Sequence, residues 1–272
     1  MHRYYSYTKD ELMVNSRIPL QCLNSAEDVY RRFAREMADK IIENNAKELP
    51  TKFILPVGPI GQYPFFIEIV NSENISMKNC WLFNMDEYLT DDRDWISSDH
   101  ILSFRGFMER EVYSRIDAAL INPPNQRIFP DPDNPKYLTG LLEQLGGADI
   151  CFGGIGINGH LAFNEAQGSL SPGQFKKLTT RVIEISKETR TTNAIGDLGG
   201  AIEDMPHYAI TIGMQEILAS KVVRLAVMRD WHRAVVRRAA CGNIDSAFPA
   251  SLLQEHQDAK IYMNDIASER AF

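Results

Sequence analysis

The stretch "ICFGGIGINGHLAFNEAQGSL", Ile150 to Leu170, decides how the rest of the chain is read. An apolar run leads into four glycines within seven residues, Gly153, Gly154, Gly156 and Gly159. His160, Asn164 and Glu165 follow within six more. A short run that is apolar throughout reads as a strand buried on both faces, as parallel strands are. Glycines directly after it permit a sharp turn or a close approach of backbone to ligand. The segment is therefore expected at the carboxyl end of a buried strand, where open α/β sheets bind their ligands.

Similar runs recur at "FILPV" (Phe53–Val57), "CWLFNM" (Cys80–Met85), "YAITIG" (Tyr208–Gly213), "VVRLAVM" (Val222–Met228) and "KIYMN" (Lys260–Asn264). Helical patterns separate them. Ala26 to Asn45 carries Val29, Phe33, Met37, Ile41 and Ile42 at helical spacing, with Asn24 or Ser25 as N-cap. Ser97–Tyr113, Pro135–Leu145 and Trp231–Cys241 are read as further helices, and "RIF" inside the Pro-dense Pro123–Pro135 as a short strand. This alternation implies βαβ units. The expected fold class is α/β: a doubly wound, mostly parallel sheet with helices on both faces, a Rossmann-like three-layer sandwich. Residues 1–17 are expected to be an N-terminal extension and residues 18–272 a single domain.

The 272 residues suffice for a full core, with 44% hydrophobic and 24% charged residues. A net charge of −7 argues against nucleic acid or an anionic membrane as partner. It leaves an anionic small ligand open, since a local site can be positive. The N-terminus has no apolar core of signal-peptide length, and no run approaches membrane-spanning length. Cys22, Cys80, Cys151 and Cys241 form no C-x-x-C pair and read as reduced thiols. The expected compartment is the cytoplasm.

Three strand ends carry unusual text. "LPVGPIGQYP" (Leu55–Pro64) is either a ligand-facing loop or a plain strand-to-helix turn; Pro59 offers no N–H. "FNMDEYL" (Phe83–Leu89) puts Asp86 and Glu87 directly after an apolar strand. Such a carboxylate, half removed from water, can serve as a base, or both can be solvated acids. At the third end His160 emerges after the glycines with Asn158 and Glu165 beside it. A lone His is more often structural; this company favours function. His2, His100, His207 and His256 lack it.

"FNMDEY", followed about seventy residues later by "GGIGINGHLAFNEAQGSL", resembles the glucosamine-6-phosphate deaminase/isomerase family. Weaker similarity runs from about Ile18 to about Ile261 and includes "SSDHILSFRGFMEREV" and "MPHYAITIGMQEIL". The resemblance implies a doubly wound α/β sandwich and conversion of an amino sugar to a ketose with release of ammonia. It implies that Asp86 moves the proton between C2 and C1, that His160 opens the sugar ring, and that Glu165 supports His160. Asn158 stands where family members have Asp or Asn, and can fix the imidazole tautomer by hydrogen bonding. Substrate contacts are expected from Val57, Gly58, Gly61 and Glu87, from Gly154, Gly156 and Gly159, and from His232 and Arg233. No metal or organic cofactor is implied.

The resemblance weakens where a phosphate would sit. The first loop lacks the family's Ser or Thr, Ile195 stands in place of an Arg, and His232 in place of a Lys, with Arg233 next to it. At a second, allosteric position Arg181 matches a basic residue but Ile183 replaces a Lys. The expected ligand is thus a sugar or sugar phosphate: an amino sugar without a 6-phosphate, or one whose phosphate is held by Arg233, His232 or Arg229. Two alternatives stand beside this reading, a 6-phosphogluconolactonase-like hydrolase and a non-catalytic sugar-binding regulatory protein. A homo-oligomer is possible, with the aromatics of "MHRYYSYTKDEL" packing on a neighbour.

Overall fold

Strands buried on both faces must send alternate side chains into two different cores. The computed structural model describes residues 2–272 and has this arrangement. The strands are β1 (Leu20–Leu23), β2 (Thr51–Leu55), β3 (Cys80–Asn84), β4 (Asp86–Leu89), β5 (Arg127–Ile128), β6 (Ile150–Gly154), β7 (Arg181–Glu184), β8 (Tyr208–Thr211), β9 (Val222–Val227) and β10 (Ala259–Asn264). Seven of them form a sheet in the order β1-β10-β9-β6-β2-β3-β5, every pair parallel.

The helices are α1 (Lys9–Asn15), α2 (Ala26–Ala46), α3 (Gln62–Ser72), α4 (Phe104–Phe107), α5 (Pro135–Gln144), α6 (Pro172–Phe175), α7 (Lys187–Asp197), α8 (Met214–Leu218), α9 (His232–Cys241) and α10 (Asp265–Ser268). Phe53 and Leu55 of β2, Phe152 of β6 and Tyr262 of β10 enter one core, beneath α2 and α3. Their neighbours Ile54, Cys151, Ile261 and Met263 enter the other, with residues of α1, α5, α9 and α10. The sheet is thus covered on both sides, as expected. Helix α2 starts where its N-cap dictates. Ser25 Oγ accepts from Asp28 N at 3.1 Å, and the Asp28 carboxylate accepts from Ser25 N at 3.1 Å.

A second sheet corrects two readings. β4, β8 and β7 pair antiparallel in that order and cover a third core of Tyr88, Phe163, Ala194 and Ala209. "YAITIG" is therefore not a parallel strand. It is the middle strand of this small sheet, and being covered on both faces made it look parallel. The acidic pair Asp86–Glu87 likewise opens a strand of this sheet and is buried, so the two are not solvated acids. The expected helix Ser97–Tyr113 is also shorter: α4 starts at Phe104, after turns and bends. The reason is tertiary, since the Glu87 carboxylate binds the N–H groups of Phe104 and Arg105 at 3.0 and 2.8 Å.

Residues 2–17, read as an extension, lie against α9; Met1 lies outside the described residues. Thr8 caps α1 through a capping box with Glu11. Leu12 is buried in the α9-side core. Arg237 of α9 is fully buried. Its Nε and Nη2 donate to Tyr7 O at 3.1 and 2.8 Å, and Nη2 to Ser268 O at 2.8 Å. A buried guanidinium is stable only while such acceptors surround it. Arg237→Met leaves those carbonyls without their donor. We expect urea unfolding to show a loss of about 2–4 kcal/mol, with faster amide exchange in residues 2–16. Unchanged exchange there would show that Arg237 does not anchor the segment.

Candidate active site

Neighbouring strands of the sheet, β6 and β2, lead onward in opposite directions, to β9 on one side and β3 on the other. Such a switch point leaves a crevice at the strands' carboxyl ends. A cavity of about 470 Å³ opens there. Val57 and Gly58 enter it after β2, Asp86 from the start of β4, Gly154 from the end of β6, Gly156 and His160 after it, and His232 after β9. Gly61, Glu87, Asn158, Gly159, Glu165 and Arg233 lie outside the cavity wall.

Two glycines shape the β6 loop. A Cβ on Gly156 would overlap the His160 ring, so only glycine lets the imidazole lie over the turn. Gly159 has φ +84° and packs against the Phe248 ring, which excludes any side chain there. Gly159 N donates to Gly156 O at 2.9 Å, and Gly156 N to His160 O at 2.9 Å, closing the loop on itself.

His160 is held from behind. Asn158 Nδ2 donates to Glu165 Oε2 at 2.6 Å, which turns Asn158 Oδ1 toward His160 Nδ1 at 2.8 Å. With an acceptor facing Nδ1, the ring carries its proton there and leaves the Nε2 lone pair free. Thr189 Oγ1 stands 3.2 Å from Nδ1. Ser186 N donates to Glu165 Oε1 at 3.3 Å, tying the start of α7 to the same chain. Burial lowers the His160 pKa, while the Glu165 charge opposes that shift. The ring is thus neutral, a proton acceptor facing the cavity.

Asp86 is 7% exposed. Among the described residues no protein group donates a hydrogen bond to its carboxylate. Burial first, and the adjacent Glu87 charge second, push its pKa well above the usual carboxylate range. The result is a basic carboxylate facing the cavity.

Glu87 does not contact the cavity, which corrects its expected substrate role. It is fully buried, and its oxygens accept from Tyr88 N, Ser103 Oγ, Phe104 N and Arg105 N. Those bonds leave it no acceptor free for a sugar. It braces the Ser103–Phe107 wall of the cavity. Arg233 is likewise turned away: its Nε donates to Ile266 O at 3.1 Å and its guanidinium pairs with Glu269 at 2.9 Å.

His232 is a neutral pin, not a cation. Its Nδ1 accepts from Met228 N and Arg229 N at 2.9 and 2.8 Å, so its Nε2 carries the proton and donates to Ile155 O at 3.0 Å. Burial lowers its pKa to about 4. Sequence reading missed several other wall residues, among them Tyr30, Phe104, Thr189, Asn193 and Trp231. No local pattern marks them. They come from α2, α4, α7 and the turn before α9, and only the tertiary fold brings them together.

The neutral His232 has a measurable consequence. In the unfolded chain it takes a proton below about 6.5; in the fold it stays neutral down to about pH 4. Unfolding therefore takes up a proton in that window. Its contribution to stability is complete above pH 6.5 and declines on acidification, by about 3 kcal/mol at most. Urea unfolding at pH 7.5, 5.5 and 4.5 should show this decline, and His232→Gln should flatten it. An equal slope in both proteins would contradict the assignment.

No sequence-family model matches the chain. Glucosamine-6-phosphate deaminase 1 of Bacillus subtilis is 31% identical over 238 residues, covering 84% of this chain and 91% of that protein. The glucosamine-6-phosphate deaminase of Aliivibrio salmonicida is 28% identical, covering 91% of this chain and 90% of that one. A solved structure described as a monomeric glucosamine-6-phosphate deaminase superposes with a TM-score of 0.79 at 30% identity, over 92% of this chain and 99% of that one. The 6-phosphogluconolactonase of Trypanosoma cruzi shares the fold at a TM-score of 0.66 and 11% identity, over 92% and 96% of the two chains. With a relative above 30% identity aligned along nearly its whole length, the chain belongs to the glucosamine-6-phosphate deaminase family.

Proposed function

We propose that this protein isomerises and deaminates an amino sugar, releasing a ketose and ammonia as a step of carbohydrate metabolism. One observation carries the reading: a buried, basic carboxylate and a neutral imidazole with a free Nε2 open on the same cavity. His160 takes the proton of the C1 hydroxyl and returns it at the ring oxygen, opening the sugar. Asp86 takes the proton from C2 and delivers it to C1. A single carboxyl group does both, first as base and then as acid, because burial and the Glu87 charge raise its pKa above that of an ordinary carboxylate. Water then adds at C2 and ammonia departs. Asn158 and Glu165 hold the imidazole in the tautomer the first step requires. Cys22, Cys80, Cys151 and Cys241 are all free, which supports a reducing compartment such as the cytoplasm.

Asp86→Asn should lower ammonia release by at least about 10²-fold while sugar binding persists. The acid side of the kcat/KM profile follows Asp86, because the base must be ionised. Activity therefore falls as pH drops through its raised pKa. Glu87→Gln removes the neighbouring negative charge, so that limb should move to lower pH. An acid limb that stays in place would assign it to another group.

A further inference from the structure

The cavity wall carries Asp86 and His160, several aromatic side chains, and residues of the loops after β2 and β9. Its charge is concentrated in few groups. Among the described residues Arg229 is the only Arg or Lys that lines it. Its guanidinium lies about 3.3 Å from where a Cβ on Gly196 would stand, one residue before Asp197, which also lines the wall. The Arg229 charge acts on Asp197, opposing the burial that raises its pKa. His232 has both ring nitrogens committed to backbone, and Arg233 is paired with Glu269.

Most other side chains on the wall are apolar or aromatic, while Ser103, Thr189, Thr192 and Asn193 are polar and uncharged. Ile60 and Ile101 line it and are 44% and 76% exposed. The Tyr30 ring lies against Gly61, the residue that opens α3, since a Cβ there would overlap it. Pro59 supplies no N–H. Trp231 packs on His232 with ring centroids 3.8 Å apart and faces the cavity. A phosphate monoester carries a charge of about −1.5 to −2 at neutral pH. Burying it is favourable where charged or fork-like donors or free N–H groups of a helix start surround it, and among the described residues the wall offers one guanidinium, Arg229, within the field of Asp197. A hydroxymethyl or similar uncharged group needs only hydrogen bonds and a face to pack on.

We propose that the amino sugar this cavity accepts carries no phosphate, and that its uncharged C6 end packs on Tyr30 and Trp231 beneath Arg229. This names the substrate class of the deaminase site and so rests on the functional reading above. The reaction balances without the phosphate. The C2–N bond breaks, water supplies the new C2 oxygen, and the C2 proton moves to C1, so hexosamine plus water becomes ketohexose plus ammonia.

The test is ammonia release by the full chain from glucosamine, galactosamine and their 6-phosphates. Calorimetric binding of the same four sugars to Asp86→Asn and titration with inorganic phosphate run in parallel. We expect kcat/KM to favour an unphosphorylated sugar by at least about tenfold, and millimolar phosphate to leave the rate unchanged. Tyr30→Ala should raise KM for that sugar several-fold with a smaller effect on kcat. A phosphorylated sugar turned over with the higher kcat/KM, or competitive inhibition by phosphate, overturns this proposal and leaves the deaminase reading intact. Ammonia from none of the four overturns the deaminase reading instead, and binding then decides the ligand class. Binding of an unphosphorylated sugar alone upholds the proposal; binding of a sugar phosphate, or of none, overturns it.

Discussion

Burial of one parallel sheet on both faces is the constraint behind the rest of the molecule. A strand with core on either side has no room for polar chemistry along its length. Phe53, Ile54 and Leu55 of β2, and Ile150, Cys151 and Phe152 of β6, are all buried and apolar. In β2 and β6 polar side chains are confined to the strand ends, and at the switch point between the two strands their carboxyl ends face one crevice. The small antiparallel sheet then delivers Asp86 to the same crevice from the side.

Within the site, preorganisation runs backward from the cavity. Gly156 makes space for the imidazole, Asn158 sets its tautomer, and Glu165 orients Asn158. None of the last two touches the cavity, yet the chemistry of His160 depends on both. This is the usual way a reactive ring is held to one geometry: by groups whose own hydrogen bonds leave them a single orientation. Asp86 is tuned by the opposite device. It lacks donors, so burial and the neighbouring Glu87 keep its carboxyl basic.

Glu87 and His232 show how a residue type that suggests binding can serve the backbone instead. Both are buried with their polar atoms committed to main-chain groups: Glu87 holds the turn into α4, and His232 joins the β6 and β9 loops. Among the described residues the cavity wall is left with one guanidinium, Arg229, amid mostly aromatic and aliphatic side chains.

How much of this was legible in the chain follows from range. Apolar runs and helical spacing are local, so β2, β3, β6, β9, β10, α2, α5 and α9 could be read within a few residues of their bounds. The Gly-rich turn and the two acidic or imidazole motifs were also local, and they point to Asp86, Asn158, His160 and Glu165. Strand direction was not local: "YAITIG" is apolar on both faces in an antiparallel sheet as it would be in a parallel one. The pattern over Ser97–Tyr113 promised a helix, but hydrogen bonds to Glu87, at least sixteen positions away by the Ser103 contact, moved its start. Likewise a Glu, a His or an Arg near a strand end looks the same in sequence whether it faces ligand or backbone. Local burial pattern and turn chemistry, which act over a few residues, set the layered architecture and place particular residues at the strand ends. Which of those residues face the cavity depends on hydrogen-bond partners brought in from distant segments, and is a property of the folded molecule alone.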